Sequence, residues 1–328
     1  MGDERRPRIA VLRQLPDKGL EGLVPKGEVV LWQGDAPPTR EQAHELVRGC
    51  DAAVVFDGDL VDAVFLDAAG ERLRVVALAC ADFDTVDQAE ARERGVVVTH
   101  TSTVPAETTA DAVVSLMLMS RRRLGPAIGS LQCGGQQPFR TDGFPGLDLH
   151  GTKLGLVGYG PVARAVARRA LGFDMTIQHC DPHEPDNIVS RLVGLDELLR
   201  TSDIVSLHVP PAPRSASLIG RRELAMMKPT ATLVNVSRGD VVDERALAVA
   251  LRTGTLHSAG LDVVERTPRD DEDDPLLAAP NLVVLPCVGS ASEATLAAMV
   301  DLAVRNVLAV LNGFSPITPL PGTVVRPS

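Results

Sequence analysis

Residues Gly158 to Ala163 are the stretch of this 328-residue chain whose spacing most directly indicates chemistry. They read GYGPVA, between the apolar run LGLV and the amphipathic run RAVARRA. In such a strand–turn–helix, the first glycine allows a tight bend, the second admits a phosphate, and a small third residue lets the helix pack. The helix would offer free N–H groups to that phosphate. The pattern predicts a dinucleotide site, and the alternative is an ordinary tight turn. The residues predicted to contact the dinucleotide are Gly158, Tyr159, Gly160, Pro161 and Val162.

Asp181 ends the next predicted strand and supplies the second half of this prediction. A carboxylate at that position can accept hydrogen bonds from both ribose hydroxyls of an adenosine. It would also repel the additional phosphate of NADP. The sequence therefore predicts NAD as the cofactor.

Cys287 is the other residue whose setting indicates chemistry. It lies in NLVVLPCVGSAS, where an apolar run of strand type leads into a Val-Gly-Ser turn. The chain has five cysteines without a C-x-x-C pair, which argues against a disulfide framework or a metal site and fits a reducing cytoplasm. A small buried hydrophobic residue is the accepted interpretation for Cys50, Cys133 and Cys180.

The elements that must position these residues alternate along almost the whole chain. Short β-branched runs such as AAVVF and RVVALA alternate with amphipathic runs, which predicts parallel sheets covered by helices on both faces. Thr39 and Gln42 form a capping box at the start of one helix. The Gly- and Gln-rich segment 125–146 is interpreted as a connection between domains. A chain of 328 residues favours two domains.

Composition excludes several classes of partner. The formal net charge of -10 disfavours nucleic acid and acidic membrane surfaces, because both are polyanions. The N-terminal MGDERRPRIAVLRQL is too charged for a signal peptide. No apolar run is expected to reach the length of a membrane span. A cytoplasmic protein that binds a small molecule, without a metal ion, is the resulting expectation.

Several longer motifs carry a resemblance that covers nearly the whole chain. They are DFDTVD (82–87), ETTAD (107–111), SLHVPPAP (206–213), LVNVSRGDVVDERAL (233–247), SAGLDVVERTP (258–268) and LPCVGSASEAT (285–295). With these motifs the chain resembles the D-isomer-specific 2-hydroxyacid dehydrogenases. That family includes phosphoglycerate dehydrogenases, hydroxypyruvate and glyoxylate reductases, and the CtBP corepressors.

The resemblance implies an α/β fold with two Rossmann-like, doubly wound parallel-sheet domains around a central cleft. Residues 1–101 and 292–328 would form the outer, substrate-binding domain, and residues 102–291 the NAD-binding domain. It also implies a homodimer formed largely through the NAD-binding domains. The resemblance further places these residues at the cofactor, with packing or capping as the alternative role for each: Thr109, Val209, Pro210, Val236 and Asp262. It also places Cys287 and Gly289 there.

Three residues usually carry the chemistry of this family: an arginine that holds the substrate, a histidine that passes the proton, and a glutamate that keeps the histidine protonated. Arg238 matches the arginine. Thr267 stands at the glutamate position, and Cys287 stands at the histidine position. The two replacements are chemically coherent, because a buried glutamate without its imidazolium partner would be a costly unpaired charge.

A third departure lies in the predicted substrate loop. The family usually has G-x-G there, which offers bare N–H groups to a carboxylate, whereas this chain has Cys80, Ala81 and Asp82. Asp82 would bring a like charge near a substrate carboxylate unless Arg238 or a cationic substrate compensates. The alternative is that Asp82 turns outward or caps a helix.

These residues leave three roles open for Cys287. Its thiol could donate a proton in place of the histidine, could add to an aldehyde as a nucleophile, or could be inert in a site that binds NAD without turnover. The sequence therefore favours an NAD-dependent oxidoreductase with an altered active site, acting on a hydroxy acid, oxo acid or aldehyde. The competing hypothesis is an NAD(H)-binding dimer that acts as a sensor or corepressor-like module.

Overall fold

The structure is a computed structural model, and it describes residues 5–14, 22–80, 82–132, 144–209, 217–264 and 274–323. Ala81, Cys133, Pro210 and Thr267 lie outside the described residues. The strands are β1 (Arg8–Val11), β2 (Glu28–Leu31), β3 (Ala52–Val55), β4 (Val75–Leu78), β5 (Val97–Thr99), β6 (Lys153–Val157), β7 (Thr176–Cys180), β8 (Arg191–Leu192), β9 (Ile204–Leu207), β10 (Thr232–Asn235), β11 (Ser258–Leu261) and β12 (Leu282–Val284).

The helices follow the predicted alternation with the strands. They are α1 (Arg40–Val47), α2 (Ala63–Ala69), α3 (Gln88–Glu93), α4 (Ala106–Arg121), α5 (Leu124–Gln132), α6 (Pro161–Ala170), α7 (Leu195–Thr201), α8 (Arg221–Met226), α9 (Glu244–Thr253) and α10 (Glu293–Leu311). The capping box predicted for Thr39 and Gln42 is present at the start of α1. The chain divides into a first unit, residues 1–105 with 291–328, and a second unit, residues 106–290.

The first unit contains a five-stranded parallel sheet in the order β2-β1-β3-β4-β5. Side chains alternate between its two faces, as the two-residue period of a strand requires. Ala10 and Leu12 pack on one face with side chains of α1, α2 and α3. Ile9 and Val11 pack on the other face with α10. Both faces are therefore covered, which is the condition for a stable parallel sheet.

Helix α10 departs from one expectation drawn from the sequence. Its 19 residues are long and apolar enough to cross a membrane by length and composition, although no such run was expected. The apolar composition has a local cause, because Ala303, Val304 and Val307 lie in the core beneath the first sheet. We therefore interpret α10 as a core helix of the first unit.

The second unit contains a seven-stranded parallel sheet in the order β12-β11-β10-β9-β6-β7-β8. Side chains of α7, α8 and α9 pack on one face of this sheet. Those of α4 and α6 pack on the other face. The predicted α/β class with two doubly wound parallel sheets is confirmed.

Segment 124–132 corrects the prediction of a loose connection between domains. It forms α5 and belongs to the second unit. Pro126 lies in the first turn of α5, where proline is tolerated. Gly125 fits closely against β12, since a Cβ at Gly125 would lie 2.7 Å from Val283 Cγ2. A contact with a distant strand thus favours a helix that composition alone did not predict.

Candidate active site

The candidate site lies at the carboxyl ends of the strands in the second sheet. Strand β6 lies between β7, which follows it in the chain, and β9, which is reached by a later crossover. Connections therefore leave β6 and β9 toward opposite sides of the sheet. Ligands of open α/β sheets bind outside the carboxyl ends of the strands at such a point.

Gly158 follows β6 and lies close to the backbone that follows β9. Only glycine fits there without a clash. Its φ of 86° lies in the left-handed region that favours glycine. A Cβ on Gly158 would lie 2.3 Å from the carbonyl oxygen of His208. The Gly158 N–H donates to the Cys180 carbonyl oxygen over 2.9 Å, which ties the turn to β7 as well. The first glycine therefore has a structural role within the protein.

Gly160 lies in a different environment. It is the N-cap of α6, with Pro161 as the first helical residue and an ordinary φ of -71°. Apart from Gly160 and its two chain neighbours, no atom of the described residues lies within 4 Å of a Cβ built on Gly160. Space is thus left beside free N–H groups at the start of a ten-residue helix. This arrangement fits the phosphates of a dinucleotide.

Asp181 lies beside this turn and is oriented by the backbone. Its Oδ2 accepts a hydrogen bond from Tyr159 N–H and its Oδ1 accepts one from His183 N–H, each over 2.8 Å. Partial burial acts to raise the pKa of Asp181, but these two N–H groups outweigh burial and lower it. The group is therefore an anion at neutral pH, as the predicted ribose contact would require.

Tyr159 contributes its backbone to this turn, because its side chain is buried. The Tyr159 ring stacks on His179 with ring centroids 4.3 Å apart. The His179 Nδ1 lies 2.9 Å from Ser190 Oγ. Val162 is partly buried and packs on the core of the second unit. The sequence did not separate such packing contributions from direct ligand contacts.

Arg238 follows β10 in a turn organised by Asn235. The buried Asn235 side chain donates to the Arg238 carbonyl oxygen over 2.6 Å and accepts from Ser237 N–H and Ser237 Oγ over 3.0 and 2.8 Å. Arg238 Nε donates to Asp240 Oδ1 over 3.1 Å. Sequence reasoning missed Asn235, although an asparagine that ends an apolar strand was a visible signal.

Cys287 follows β12 in a turn held by Asp262. The Cys287 N–H donates to the Asp262 carbonyl oxygen over 3.0 Å. The Asp262 carboxylate accepts from Val288 N–H over 2.9 Å and from Gly289 N–H over 2.8 Å. A Cβ on Gly289 would lie 2.5 Å from Asp262 Oδ2, so this approach requires glycine. Asp262 thus fixes the turn that presents Cys287.

The ionisation of Asp262 reflects two opposed effects. Burial raises the pKa of this carboxyl group, and the N–H groups of Gly289 and Val288 act in the opposite direction without overcoming burial. Its side chain is among the buried polar groups of the second unit. Hydrogen bonds to the turn therefore compensate part of the cost of burying a carboxylate.

Cys287 is exposed and adopts an unusual backbone conformation. Its φ is 57°, in the left-handed region, which costs a residue with a Cβ about 1–2 kcal/mol. Histidine, asparagine and aspartate are several-fold enriched among non-glycine residues in that region. The backbone at position 287 is therefore suited to the histidine that the resemblance implies there.

The remaining predicted cofactor residues lie on neighbouring elements of the same unit. Thr109 is half-buried on the first turns of α4. Ala112, three residues along that helix, has its Cβ 3.6 Å from a Cβ built on Gly289. Val209 and Val236 are partly buried and pack on the two core clusters of the unit. The structure brings Asp262, Cys287 and Gly289 into contact and places Thr109 on the adjacent helix.

In the first unit, Cys80 and Asp82 follow β4. Asp82 Oδ1 accepts from Phe83 N–H and Asp84 N–H over 2.6 and 3.1 Å, so Asp82 caps its own turn. This cap lies within the loop, whereas the alternative drawn from the sequence was an outward-turned side chain or a helix cap. Burial raises the pKa of the Cys80 thiol to about 12, with help from Asp57, Asp82 and Asp59. Cys80 is thus a protonated, unreactive thiol.

Two of the other histidines, His208 and His179, lie in the protein interior and contact neighbouring side chains. His208 Nε2 lies 2.9 Å from Ser206 Oγ, and burial lowers the pKa of His208 to about 3. His179 is fully buried between Tyr159 and Ser190. The His208 ring is therefore not suited to accept and release a proton near neutral pH.

Comparison with known proteins shows which family the chain matches. Residues 114–289 match the model for "D-isomer specific 2-hydroxyacid dehydrogenase, NAD binding domain". A glyoxylate reductase of Korarchaeum cryptofilum is 40% identical over 319 residues, which is 95% of each chain.

Two solved structures are similar over nearly the full length. The TT0316 protein from Thermus thermophilus has a TM-score of 0.89 and 38% identity, with 95% of this chain and 99% of that chain covered. The NADPH-dependent glyoxylate/hydroxypyruvate reductase of Sinorhizobium meliloti has a TM-score of 0.84 and 32% identity, with 98% and 100% covered.

Proposed function

Because the chain belongs to the D-isomer-specific 2-hydroxyacid dehydrogenase family, we propose that it reduces a small 2-oxo acid or aldehyde without that family's histidine–glutamate pair. The chain is an NAD-dependent oxidoreductase at the level of its family. One observation carries the finer proposal: Asp262 holds an exposed thiol, Cys287, at the carboxyl end of β12. Glyoxylate, on which several relatives act by their names, is the first candidate substrate.

In this proposal, Arg238 binds the carboxylate and the carbonyl oxygen of the substrate. A guanidinium is a planar fork of donors, and Asp240 restricts its orientation through the Nε contact. NADH, when bound, supplies the hydride. Cys287 or a water molecule supplies the proton, since an ordinary thiol with a pKa of ~8.5 is mostly protonated at neutral pH. A thiol is a weaker proton donor here than an imidazolium kept protonated by a carboxylate.

We also propose that the first unit is the outer, substrate-binding domain and that the chain prefers NAD to NADP. Asp181 supports NAD over NADP because a second anion beside a phosphate is unfavourable. The Sinorhizobium meliloti reductase is described as NADPH-dependent, so cofactor preference differs among relatives of this fold. Substrate binding to the first unit is supported by the carboxyl end of β4, where Cys80 and Asp82 lie.

Substitution of the two glycines of the turn by alanine is expected to have two different effects, one on NADH binding and one on stability. We expect Gly160→Ala to fold normally and to weaken NADH binding by ~10–100-fold, because the methyl group would occupy space left for the phosphates. We expect Gly158→Ala to lower the free energy of unfolding by ~2–4 kcal/mol, because its Cβ would contact His208 in the left-handed region. Nicotinamide fluorescence titration and thermal unfolding measure the two effects. Normal NADH affinity in a folded Gly160→Ala protein would contradict the assigned phosphate site.

The function itself is tested by steady-state assays of glyoxylate, hydroxypyruvate and pyruvate with NADH. We expect turnover of at least one substrate, at a rate ~10²–10⁴-fold below that of a chain in which the histidine–glutamate pair has been restored. Robust turnover of any of the three by the natural chain would refute the altered chemistry.

The alternative is an NAD(H)-binding module without turnover. The two replacements at Thr267 and Cys287 favour it, and the resemblance to corepressors allows it. Nicotinamide fluorescence should report binding in both cases, so binding alone does not separate the hypotheses. Deuterium transfer from C4-deuterated NADH to a metabolite separates them, because only an enzyme carries it out. Alkylation of Cys287 tests the thiol: it should abolish activity if the thiol takes part in the reaction, and it should leave NADH affinity nearly intact.

A homodimer through the second unit is the proposed assembly. Helix α5 supports it, because Leu124, Ile128 and Leu131 are 42%, 48% and 69% exposed and recur at positions i, i+4 and i+7 of the helix. Such spacing forms one apolar stripe, and a contiguous exposed apolar patch is typical of an interface. Light scattering of the purified chain measures the assembly directly.

A further inference from the structure

Arg164 is the fourth residue of α6, and its side chain folds back onto the turn that precedes the helix. Its Nε donates to the Tyr159 carbonyl oxygen over 3.1 Å. Its guanidinium carbon lies 5.5 Å from the centre of the Tyr159 ring, which is a cation–π distance. The Tyr159 N–H donates to Asp181 Oδ2 over 2.8 Å, so the same residue contacts both the arginine and the carboxylate. Arg164 is therefore a neighbour of the predicted ribose site.

Glu184, three residues after Asp181, forms an ion pair with this guanidinium. Its Oε1 lies 2.5 Å from Arg164 Nη2. The His183 N–H donates to Asp181 Oδ1 over 2.8 Å, so the chain turns just before Glu184 and both carboxylates belong to one short loop. The side chains of Arg164 and Glu184 are 48% and 34% exposed, so both are accessible to a ligand that binds at this loop.

A second contact holds Glu184 in place independently of its carboxylate. His179 Nε2 donates to the Glu184 carbonyl oxygen over 3.2 Å, because a carbonyl oxygen can only accept. The His179 ring stacks on Tyr159, and its Nδ1 lies 2.9 Å from Ser190 Oγ. The position of the loop thus depends on a backbone carbonyl group and a buried ring. Replacing the Glu184 carboxylate therefore changes the charge of the loop without removing that support.

The additional phosphate of NADP is attached to the adenosine ribose, whose hydroxyl groups Asp181 is predicted to bind. An arginine accommodates this phosphate in sites that bind NADP, because its planar fork of donors matches phosphate oxygens. In this chain the fork of Arg164 is already paired with Glu184, and Asp181 adds a further negative charge. A phosphate would have to displace Glu184 from Arg164 and would meet two carboxylates, whereas the uncharged hydroxyl group of NAD leaves the ion pair intact.

We propose that Glu184 is a specificity-determining residue, which holds Arg164 in an ion pair and thereby excludes NADP from a site that contains an arginine able to bind its phosphate. The selection of NAD then has two parts: repulsion of the phosphate by Asp181, and occupation of Arg164 by Glu184. This inference rests on the proposed NAD site at the glycine turn. Arg164 and Glu184 take no part in hydride or proton transfer.

The test compares the dissociation constants of NADPH and NADH from the full chain, measured by nicotinamide fluorescence. We expect Glu184→Gln to lower the NADPH constant about tenfold, as for one partly screened charge contact, and to leave the NADH constant nearly unchanged. Arg164→Gln alone should weaken NADPH binding a few-fold, because it leaves the Glu184 carboxylate uncompensated. The double variant Arg164→Gln, Glu184→Gln should lose the gain, since the gain requires the released guanidinium.

Glu197→Gln is the matched control, because Glu197 on α7 forms another exposed ion pair of the second unit, with Arg191 over 3.2 Å. It makes the same change in charge and should leave the NADPH-to-NADH ratio unaltered. Glu184→Ala is the second test variant and should act like Glu184→Gln. The gain in both should shrink at ~0.5 M salt, because salt screens exposed charges.

An unchanged NADPH constant in Glu184→Gln and Glu184→Ala would overturn the proposal. An equal gain for NADH would overturn it too, since it would place Arg164 at the pyrophosphate that both cofactors share. A gain that persists after Arg164 is also replaced would likewise contradict the role of the ion pair. Binding of neither cofactor by the natural chain would refute the proposed NAD site and this inference with it, whereas normal NADH binding with an unchanged NADPH constant refutes the inference alone.

Discussion

Joint replacement of Cys287 by histidine and Thr267 by glutamate is expected to raise kcat/KM for glyoxylate by ~10²–10⁴-fold, the usual contribution of a positioned acid–base pair. The backbone at position 287 should accept the change, because its φ of 57° is one that histidine tolerates better than most residues. The Asp262 contacts that hold the turn are made by backbone N–H groups, so they do not depend on the side chain at 287. Steady-state kinetics with NADH and glyoxylate provide the measurement.

The single variants are the controls for this prediction. Cys287→His alone should give a smaller gain, because its imidazole would lack the carboxylate that keeps it protonated. Thr267→Glu alone should give no gain, since it adds a charge without a partner. NADH affinity should stay the same in all three proteins. A double variant no faster than the natural chain would show that the missing pair does not limit the reaction.

Replacement of Arg238 by glutamine is expected to lower kcat/KM for glyoxylate by at least ~10²-fold. The guanidinium would make two charge-assisted hydrogen bonds to the substrate, each worth roughly 1.5–3 kcal/mol, and glutamine offers neither the charge nor the fork. Arg238→Lys should fall between the two, because an ammonium keeps the charge and loses the planar geometry. NADH affinity, measured by fluorescence, should change little.

Asp240 supplies the control for Arg238. Arg238→Gln leaves the Asp240 carboxylate without its contact to Nε, so the effect of losing that contact is measured separately. Asp240→Asn alone should lower kcat/KM only a few-fold, and combining it with Arg238→Gln should not restore the activity. A loss of NADH affinity with normal substrate kinetics would place Arg238 at the cofactor instead.

The parts of the fold that the sequence predicted are those that depend on local patterns. The turn at Gly158 and Gly160 and the carboxylate at Asp181 occur within a short βαβ segment, where strand, helix and spacing constrain one another. The alternation of β-branched and amphipathic runs likewise predicted parallel sheets covered on both faces, and the structure agrees. Such signals need no knowledge of distant contacts.

The parts that the sequence did not predict depend on contacts between distant residues. Helix α5 was missed because its glycines argue against a helix unless the fit of Gly125 against Val283 is known. The left-handed backbone of Cys287 and its attachment to Asp262, 25 positions earlier in the chain, follow from the pairing of β11 with β12.

The most direct measurement is a single turnover of the natural chain with NADH deuterated at C4 and glyoxylate, with the product analysed by mass spectrometry. Our account predicts that deuterium reaches the reduced product, slowly in the natural chain and ~10²–10⁴-fold faster in the Cys287→His, Thr267→Glu protein. Bound NADH with no deuterium in any product would instead indicate a binding module. Transfer in the natural chain as fast as in the double variant would show that the thiol at position 287 does not alter the chemistry.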